Sequence, residues 1–235
     1  MRNAQQVDFG MYVQAIPALA RHLSILVAPL LAAVVSLLLN ELGQTMTDPI
    51  GGIGAGIYAM IAQLVYLTAF GIAVIQASNI WRKRSGKFDT AWEEGRRKIG
   101  GIALAAIGFQ FIFYVAGLVG GLSGIGVVGL ILELVAALFL IYVIPAAAIG
   151  GLPGQLAISA SIRAVRANPI ATIVLALVFI VLWIIVPNYG LLLIVPIVPS
   201  AAMQFVYAGV QALILGYLAF PFAKQYDDVA FHTRW

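Results

Sequence analysis

The chain of 235 residues is 63% hydrophobic and only 9% charged, with a mean hydropathy of +1.03. Soluble domains carry roughly 25% charged residues, so this composition excludes a water-soluble fold and makes the bilayer the solvent for most of the surface. The absence of cysteine excludes disulfides, thiolate metal sites and cysteine nucleophiles. The net charge of +4 alone would suit nucleic acid, but the placement of the basic residues gives a simpler explanation.

Six apolar runs are long enough, or nearly so, to cross about 30 Å of hydrocarbon as helices. The first run is short and contains Pro29, which predicts a kink that neighbouring helices can tolerate in a membrane. Pro196 and Pro199 interrupt the apolar segment 188–200, which we interpret as an interfacial or re-entrant connection. We place the six spans at 23–40, 55–78, 99–121, 125–149, 168–187 and 201–223.

The basic residues are segregated among the segments between these spans. Residues 81–98 hold seven of the 13 Lys and Arg residues, and the rest lie in the N-terminal segment, in 150–167 and in the C-terminal tail. The segments 41–54, 122–124 and 188–200 contain none. With six spans, every basic segment falls on one side of the membrane, which the positive-inside rule makes the cytoplasmic side. We therefore expect a single integral membrane domain with both termini in the cytoplasm.

A similar apolar spacing of i, i+4 and i+7 precedes each of the three pairs of spans, and predicts an amphipathic helix there. Thr90 and Glu93 have the capping-box spacing that would start the middle helix. Any junction between a basic segment and a span gives such a pattern, but the matching order of helices favours internal repeats at 10–80, 86–150 and 156–230. The three copies begin at Tyr12, Ile16 and Leu19, at Phe88, Trp92 and Gly95, and at Ile158, Ile162 and Val165.

The predicted fold is therefore all-α, with six transmembrane helices as three hairpins, each preceded by a cytoplasmic amphipathic helix. Two short motifs accompany this pattern: the junction Ser161-Ile-Arg-Ala-Val-Arg-Ala-Asn-Pro169 and the tail Phe220-Pro-Phe-Ala-Lys-Gln-Tyr-Asp-Asp228. Over residues 10–230 the chain resembles bacterial six-helix inner-membrane families related to the membrane domain of glycerophosphoryl diester phosphodiesterases. The resemblance implies a location in a bacterial-type cytoplasmic (inner) membrane. The soluble phosphodiesterase domain has no counterpart in this sequence, so the resemblance implies neither hydrolase activity nor catalytic residues.

Glu133 is a formal charge well inside a predicted span. An ionised carboxylate near the middle of a bilayer costs about 2.5 kcal/mol or more, so we expect it to face the bundle interior or to be protonated. An alignment of 61–65 with 131–135 puts Gln63 at the equivalent position of the first pair of spans, and Gln204, in competition with Gln211, occupies it in the third. These side chains either line a path for a proton or cation or fix the packing by hydrogen bonds between helices, the interpretation we favour.

No pattern in the sequence indicates catalysis, a metal site or a cofactor. His22 and His232 lie outside the spans, which argues against haem or a histidine-held metal. Ser36 and Ser123 have no general base nearby in the sequence. The glycines favour close helix packing over phosphate binding, and the spacing within 121–126 predicts a short turn between the third and fourth spans.

Seven basic residues in one loop also suit the headgroups of anionic lipids. Glu93 and Glu94 lie within reach of the neighbouring cations, which argues against nucleic acid as a partner. The candidate lipid-headgroup contacts are Arg82, Lys83, Arg84, Arg96, Arg97 and Lys98.

The scarcity of reactive groups predicts a protein that is not an enzyme. We expect a scaffold or accessory subunit that packs against other membrane proteins or lipids, as a hetero- or homo-oligomer. The alternative is a transporter or channel for a small solute, ion or lipid that uses Glu133 and the nearby glutamines, with helices broken near prolines such as Pro145.

Overall fold

The computed structural model describes residues 7–45, 53–190 and 199–232, and within these ranges it contains helices and no strand. Six helical segments of the described residues are long and apolar enough to cross a membrane, which confirms the predicted all-α, multi-pass class and agrees with the predicted number of spans. These segments are Leu23–Gly43, Gly56–Trp81, Phe88–Leu122, Gly126–Ala148, Pro169–Gly190 and Ala202–Ala230.

The helices follow one another with short connections. A 3-10 turn at Leu23–Leu26 joins the first two helices, and a π-helical segment at Val181–Gly190 extends the eighth. The predicted connection at 188–200 lies mostly outside the described residues, because 191–198 are not among them. The α-helices are α1 (Phe9–Arg21), α2 (Val27–Thr45), α3 (Ile53–Trp81), α4 (Phe88–Leu122), α5 (Gly126–Leu140), α6 (Val143–Ala148), α7 (Gly154–Ala167), α8 (Pro169–Ile180) and α9 (Ser200–His232).

The segments expected to be amphipathic meet their spans in two different ways. Between α7 and α8 the helix breaks at Asn168, because Pro169 disfavours a helical conformation in the residue before it. The Asn168 side chain then accepts a hydrogen bond from the Ala171 amide at 3.3 Å and caps α8. Gly100 and Gly101 impose no such break, so α4 runs without interruption from the basic loop into the span.

Two local predictions were wrong in detail. Helix α4 begins at Phe88 with Lys87 as its N-cap residue, so Thr90 lies in the first turn and does not cap the helix. The kink predicted at Pro29 is not inside the helix. Pro29 lies in the first turn of α2, where a backbone N–H has no intrahelical acceptor, and the irregular backbone is the 3-10 turn that precedes α2.

The fourth span is broken where it approaches the basic end of the bundle. Helix α5 ends at Leu140 and α6 begins at Val143, because Pro145 cannot donate a backbone hydrogen bond to Ile141. Ser161 of α7 compensates: its hydroxyl donates to the Phe139 carbonyl at 2.7 Å and accepts from the Tyr142 amide at 3.0 Å. One side chain thus satisfies backbone groups on both sides of the break.

Packing is densest at one end of the bundle. Contacts between the basic loop, the α6–α7 connection and the tail show that these segments meet there: Trp81 Nε1 donates to the Phe220 carbonyl at 3.0 Å, and Lys98 Nζ donates to the Ala148 carbonyl at 2.8 Å. We call this the basic end. At this end α6 is buried throughout, and so are residues 218–226 of α9 apart from Lys224. The opposite end, with the 123–125 turn, we call the far end.

Helices α4 and α5 approach each other closely near the far end. The turn between them spans Ser123–Ile125, as predicted, and Gly124 has a φ of +67° that other residues rarely adopt. A Cβ at Gly120 would overlap the Cα of Gly129. Only glycine therefore permits this distance between the two helices.

We expect Gly120→Ala to destabilise the protein by about 1–3 kcal/mol, because the added methyl group forces the two helices apart. Thermal unfolding in mild detergent measures the effect. The matched control is Gly121→Ala, since a Cβ at Gly121 meets no atom within 4 Å. Equal melting temperatures for the two variants would contradict the close approach.

Candidate functional site

The three predicted intramembrane polar residues do not form a common buried cluster. The side chains of Gln63 on α3 and Gln204 on α9 are exposed at the surface of the bundle, and that of Glu133 on α5 is half-buried. Helix α5 packs mainly against α4, whereas α3 packs against α2, α4 and α9. The sequence alignment placed these residues at similar heights but did not determine which face of each helix they occupy.

Glu133 lies against α4. A Cβ at Gly117 would come within 2.8 Å of its Oε1 atom, so the carboxylate occupies the space that a side chain at this position would fill. Within the described residues it makes no hydrogen bond and no ion pair. Glu133 lies about 10 Å along the helix axis from the first residue of α5, Gly126, and so inside the apolar part of the span.

The surface beside Glu133 is apolar and exposed. The exposed side chains next to it on α5 are Leu130, Ile131, Leu134 and Val135, and those on the facing part of α4 include Val115, Leu118 and Val119. In a bilayer this surface contacts lipid tails or another protein. A carboxylate at its edge has no hydrogen-bond or ion-pair partner among the described residues, and hydrocarbon around it makes this a costly position for a charge.

The six predicted headgroup contacts divide into two groups. Three are paired within the chain: Arg82 with Asp227, Arg97 with Glu93 at 3.5 Å, and Lys98 with Glu94 at 2.6 Å. The exposed Arg97–Glu93 pair contributes little, because solvent screens it. The other three, Lys83, Arg84 and Arg96, are exposed and form no ion pair within the described part of the chain.

A cleft at the basic end separates α7 from the last turns of α9. Its volume is about 680 Å³, and it is closed on the other sides by the end of α3 and the α6–α7 connection. We call it the basic cleft. Its polar lining comprises Arg82, Arg163, Lys224, Tyr226, Asp227 and Asp228, and its apolar lining includes Trp81, Ile149, Leu152, Ala160 and Ala230.

A chain of hydrogen bonds that the sequence did not predict lies behind this cleft. It connects the break between α5 and α6 with α8 and α9. The Gln225 amide donates to the Tyr142 hydroxyl at 2.6 Å, which lies 3.1 Å from Thr172 Oγ1. Thr172 donates in turn to the Asn168 carbonyl at 2.7 Å, which leaves the Tyr142 hydroxyl as the donor to Thr172. All four residues are buried, so the hydrogen bonds are protected from water.

The nearby Tyr12 hydroxyl of α1 and Gln225 Oε1 are also buried, and neither has a hydrogen-bond partner in the described residues. Burial raises the pKa of Tyr12, and the phenols of Tyr142 and Tyr217 raise it further, so Tyr12 stays protonated at neutral pH. Tyr217 donates to the Tyr12 carbonyl at 3.1 Å and so ties α1 to α9.

A second buried contact links the segment after α1 to the basic loop. Gln76 donates from Nε2 to Ser24 Oγ at 2.8 Å and to the Gly86 carbonyl at 2.7 Å. Gln76 and Gln225 lie near span ends, where glutamine is common. The sequence therefore gives no signal that these two glutamines are buried and hydrogen-bonded whereas Gln63 and Gln204 are exposed. The Asn168-Pro169 pair was the one readable clue, because it marks a helix boundary.

Among residues 7–45, 53–190 and 199–232, no group of three or more His, Asp or Glu side chains is positioned to hold a metal ion. Comparison of the chain with protein-family models, with curated proteins and with solved structures gives no match.

We expect Tyr142→Phe to lower the free energy of unfolding by about 1–3 kcal/mol, because it leaves Gln225 Nε2 and Thr172 Oγ1 buried without their shared partner. The measurement is unfolding in detergent, with Tyr114→Phe as the control because the Tyr114 side chain is exposed. A Tyr142→Phe variant as stable as Tyr114→Phe would show that the network contributes nothing.

Proposed function

We propose that this protein is a non-catalytic component of a bacterial-type inner membrane, an accessory subunit or scaffold that packs against other membrane proteins or lipids. In this proposal the six spans form three hairpins, the basic end and both termini lie in the cytoplasm, and α1 and α7 lie in the headgroup region. The observation that carries the proposal is the half-buried Glu133 beside the exposed apolar surface of α4 and α5.

The carboxylate of Glu133 is costly to place in hydrocarbon. An ionised glutamate in hydrocarbon needs a cation, and a protonated one still needs a hydrogen-bond partner. The chain does not supply the cation, because residues 22–81, 99–162 and 167–223 contain no Lys or Arg. A second copy of this chain therefore cannot neutralise Glu133 inside the membrane either.

The partner that fits this surface is a transmembrane helix of another protein with a Lys or Arg at the same depth. Gly121 on α4 is exposed with no atom within 4 Å of a Cβ there, which lets such a helix approach closely. The apolar side chains around Glu133 would then be buried by the partner rather than by lipid, and the paired charges would define its orientation.

The alternative, a transporter, has less support from the placement of the polar side chains. Its path was to be lined by Glu133, Gln63 and Gln204, and the two glutamines are exposed on helices that pack away from α5.

We expect Glu133→Gln to reduce co-purification of the partner by about 5- to 30-fold, which corresponds to the loss of about 1–2 kcal/mol of interhelical polar interaction. Affinity purification in mild detergent, followed by quantitative mass spectrometry of the co-purified proteins, measures the loss. Glu41→Gln is the matched control, since Glu41 is an exposed acid near the end of α2.

Two results would count against the accessory role. One is a wild-type protein that purifies as a monomer without other proteins under conditions that preserve membrane complexes. The other is an unchanged set of partners for Glu133→Gln.

A further inference from the structure

The basic cleft contains more positive than negative charge. Three cations, Arg82, Arg163 and Lys224, face two carboxylates, Asp227 and Asp228, which leaves one net positive charge among the lining residues. A surplus charge in a concave site attracts an anion, because the low-dielectric walls concentrate the field.

The two carboxylates are each held by one of the cations. Arg82 forms a forked pair with Asp227, with Nε 3.0 Å from Oδ2, and Ser78 donates to the same oxygen at 3.1 Å. Lys224 lies 2.7 Å from Asp228. These pairs fix both cations in position at the walls of the cleft.

Each of these two cations keeps hydrogen-bond donors for a ligand. A guanidinium has five N–H donors and an ammonium has three. The pair with Asp227 uses two donors of Arg82, and the pair with Asp228 uses one of Lys224. The remaining donors are available without breaking either ion pair.

Arg163 differs from both. It lines the cleft from α7, its side chain is exposed, and it makes no hydrogen bond or ion pair within the described residues. Its planar guanidinium matches two oxygens of a phosphate group, a geometry that the point charge of a lysine does not provide.

We propose that the basic cleft binds a phosphate-bearing anion, with Arg163 as the principal contact and with Arg82 and Lys224 as supporting donors. The site goes beyond the accessory role and does not depend on Glu133. A single net positive charge suits a phosphodiester with one negative charge better than a phosphate dianion. The volume of about 680 Å³ also exceeds that of inorganic phosphate and leaves room for a polar headgroup beside Trp81 and Leu152.

The test compares two arginines of one helix. Arg163 and Arg166 are both exposed on α7, but Arg166 does not line the cleft. The wild type, Arg163→Gln and Arg166→Gln are purified in mild detergent and titrated separately with short-chain phosphatidylglycerol, with short-chain phosphatidylcholine and with inorganic phosphate. Native mass spectrometry gives the bound fraction, and the melting temperature of each variant reports its folding.

We expect saturable binding of phosphatidylglycerol to the wild type and to Arg166→Gln, and at least tenfold weaker binding to Arg163→Gln. Arg163→Lys keeps the charge but loses the two parallel N–H donors of the guanidinium, so its affinity for phosphatidylglycerol should lie between those of the wild type and Arg163→Gln. Binding of inorganic phosphate alone, with the same dependence on Arg163, would support the site and assign it to a soluble ligand.

Three results would overturn the proposal. Equal affinities of Arg163→Gln and Arg166→Gln would show that the anion contacts the surface without using the cleft. Equal binding of phosphatidylcholine and phosphatidylglycerol would show that the charge of the ligand is not recognised. If none of the three ligands binds saturably, the cleft is not an anion site.

Discussion

Polar groups in a membrane protein must find partners within the protein, because hydrocarbon offers none. Here those partnerships are concentrated at the basic end. Ser161 satisfies the backbone on both sides of the break before α6, Gln225 and Thr172 bracket the Tyr142 hydroxyl, and Gln76 holds the basic loop. Because most of these contacts join segments far apart in sequence, the loops and helix ends at this end form one connected unit.

The far end is built differently, and the proposed function follows from the contrast. There the helices meet through small residues and expose large apolar side chains. Farther along α5, Glu133 has no hydrogen-bond or ion-pair partner among the residues that the structure describes. The basic end offers a charged cleft instead. The two ends therefore present surfaces of different chemistry: an apolar one with a single carboxylate, for which we propose a membrane partner, and a basic one, for which we propose an anion.

The sequence predicted the spans well because mean hydropathy over 20 residues depends little on tertiary contacts. The predicted start of the fifth span at residue 168 agrees with the α7–α8 boundary, which Asn168 and Pro169 explain. It did not predict the partners of the buried polar groups, since nothing near Tyr142 in the sequence indicates that Ser161 and Gln225 will reach it. Gln63 and Gln204 show the same limit of sequence analysis. Alignment of apolar runs gives the depth of a residue in the membrane but not the face of the helix on which it lies.

The central claim is that the basic end lies in the cytoplasm, and single-cysteine labelling of intact cells tests it most directly. The chain has no cysteine, so Ser85→Cys in the basic loop and Ser123→Cys in the α4–α5 turn each introduce one exposed thiol. A membrane-impermeant maleimide added outside the cells should label Ser123→Cys and should reach Ser85→Cys only after the membrane is permeabilised. Labelling of Ser85→Cys in intact cells would contradict the orientation and, with it, the assignment of the basic cleft to the cytoplasmic surface.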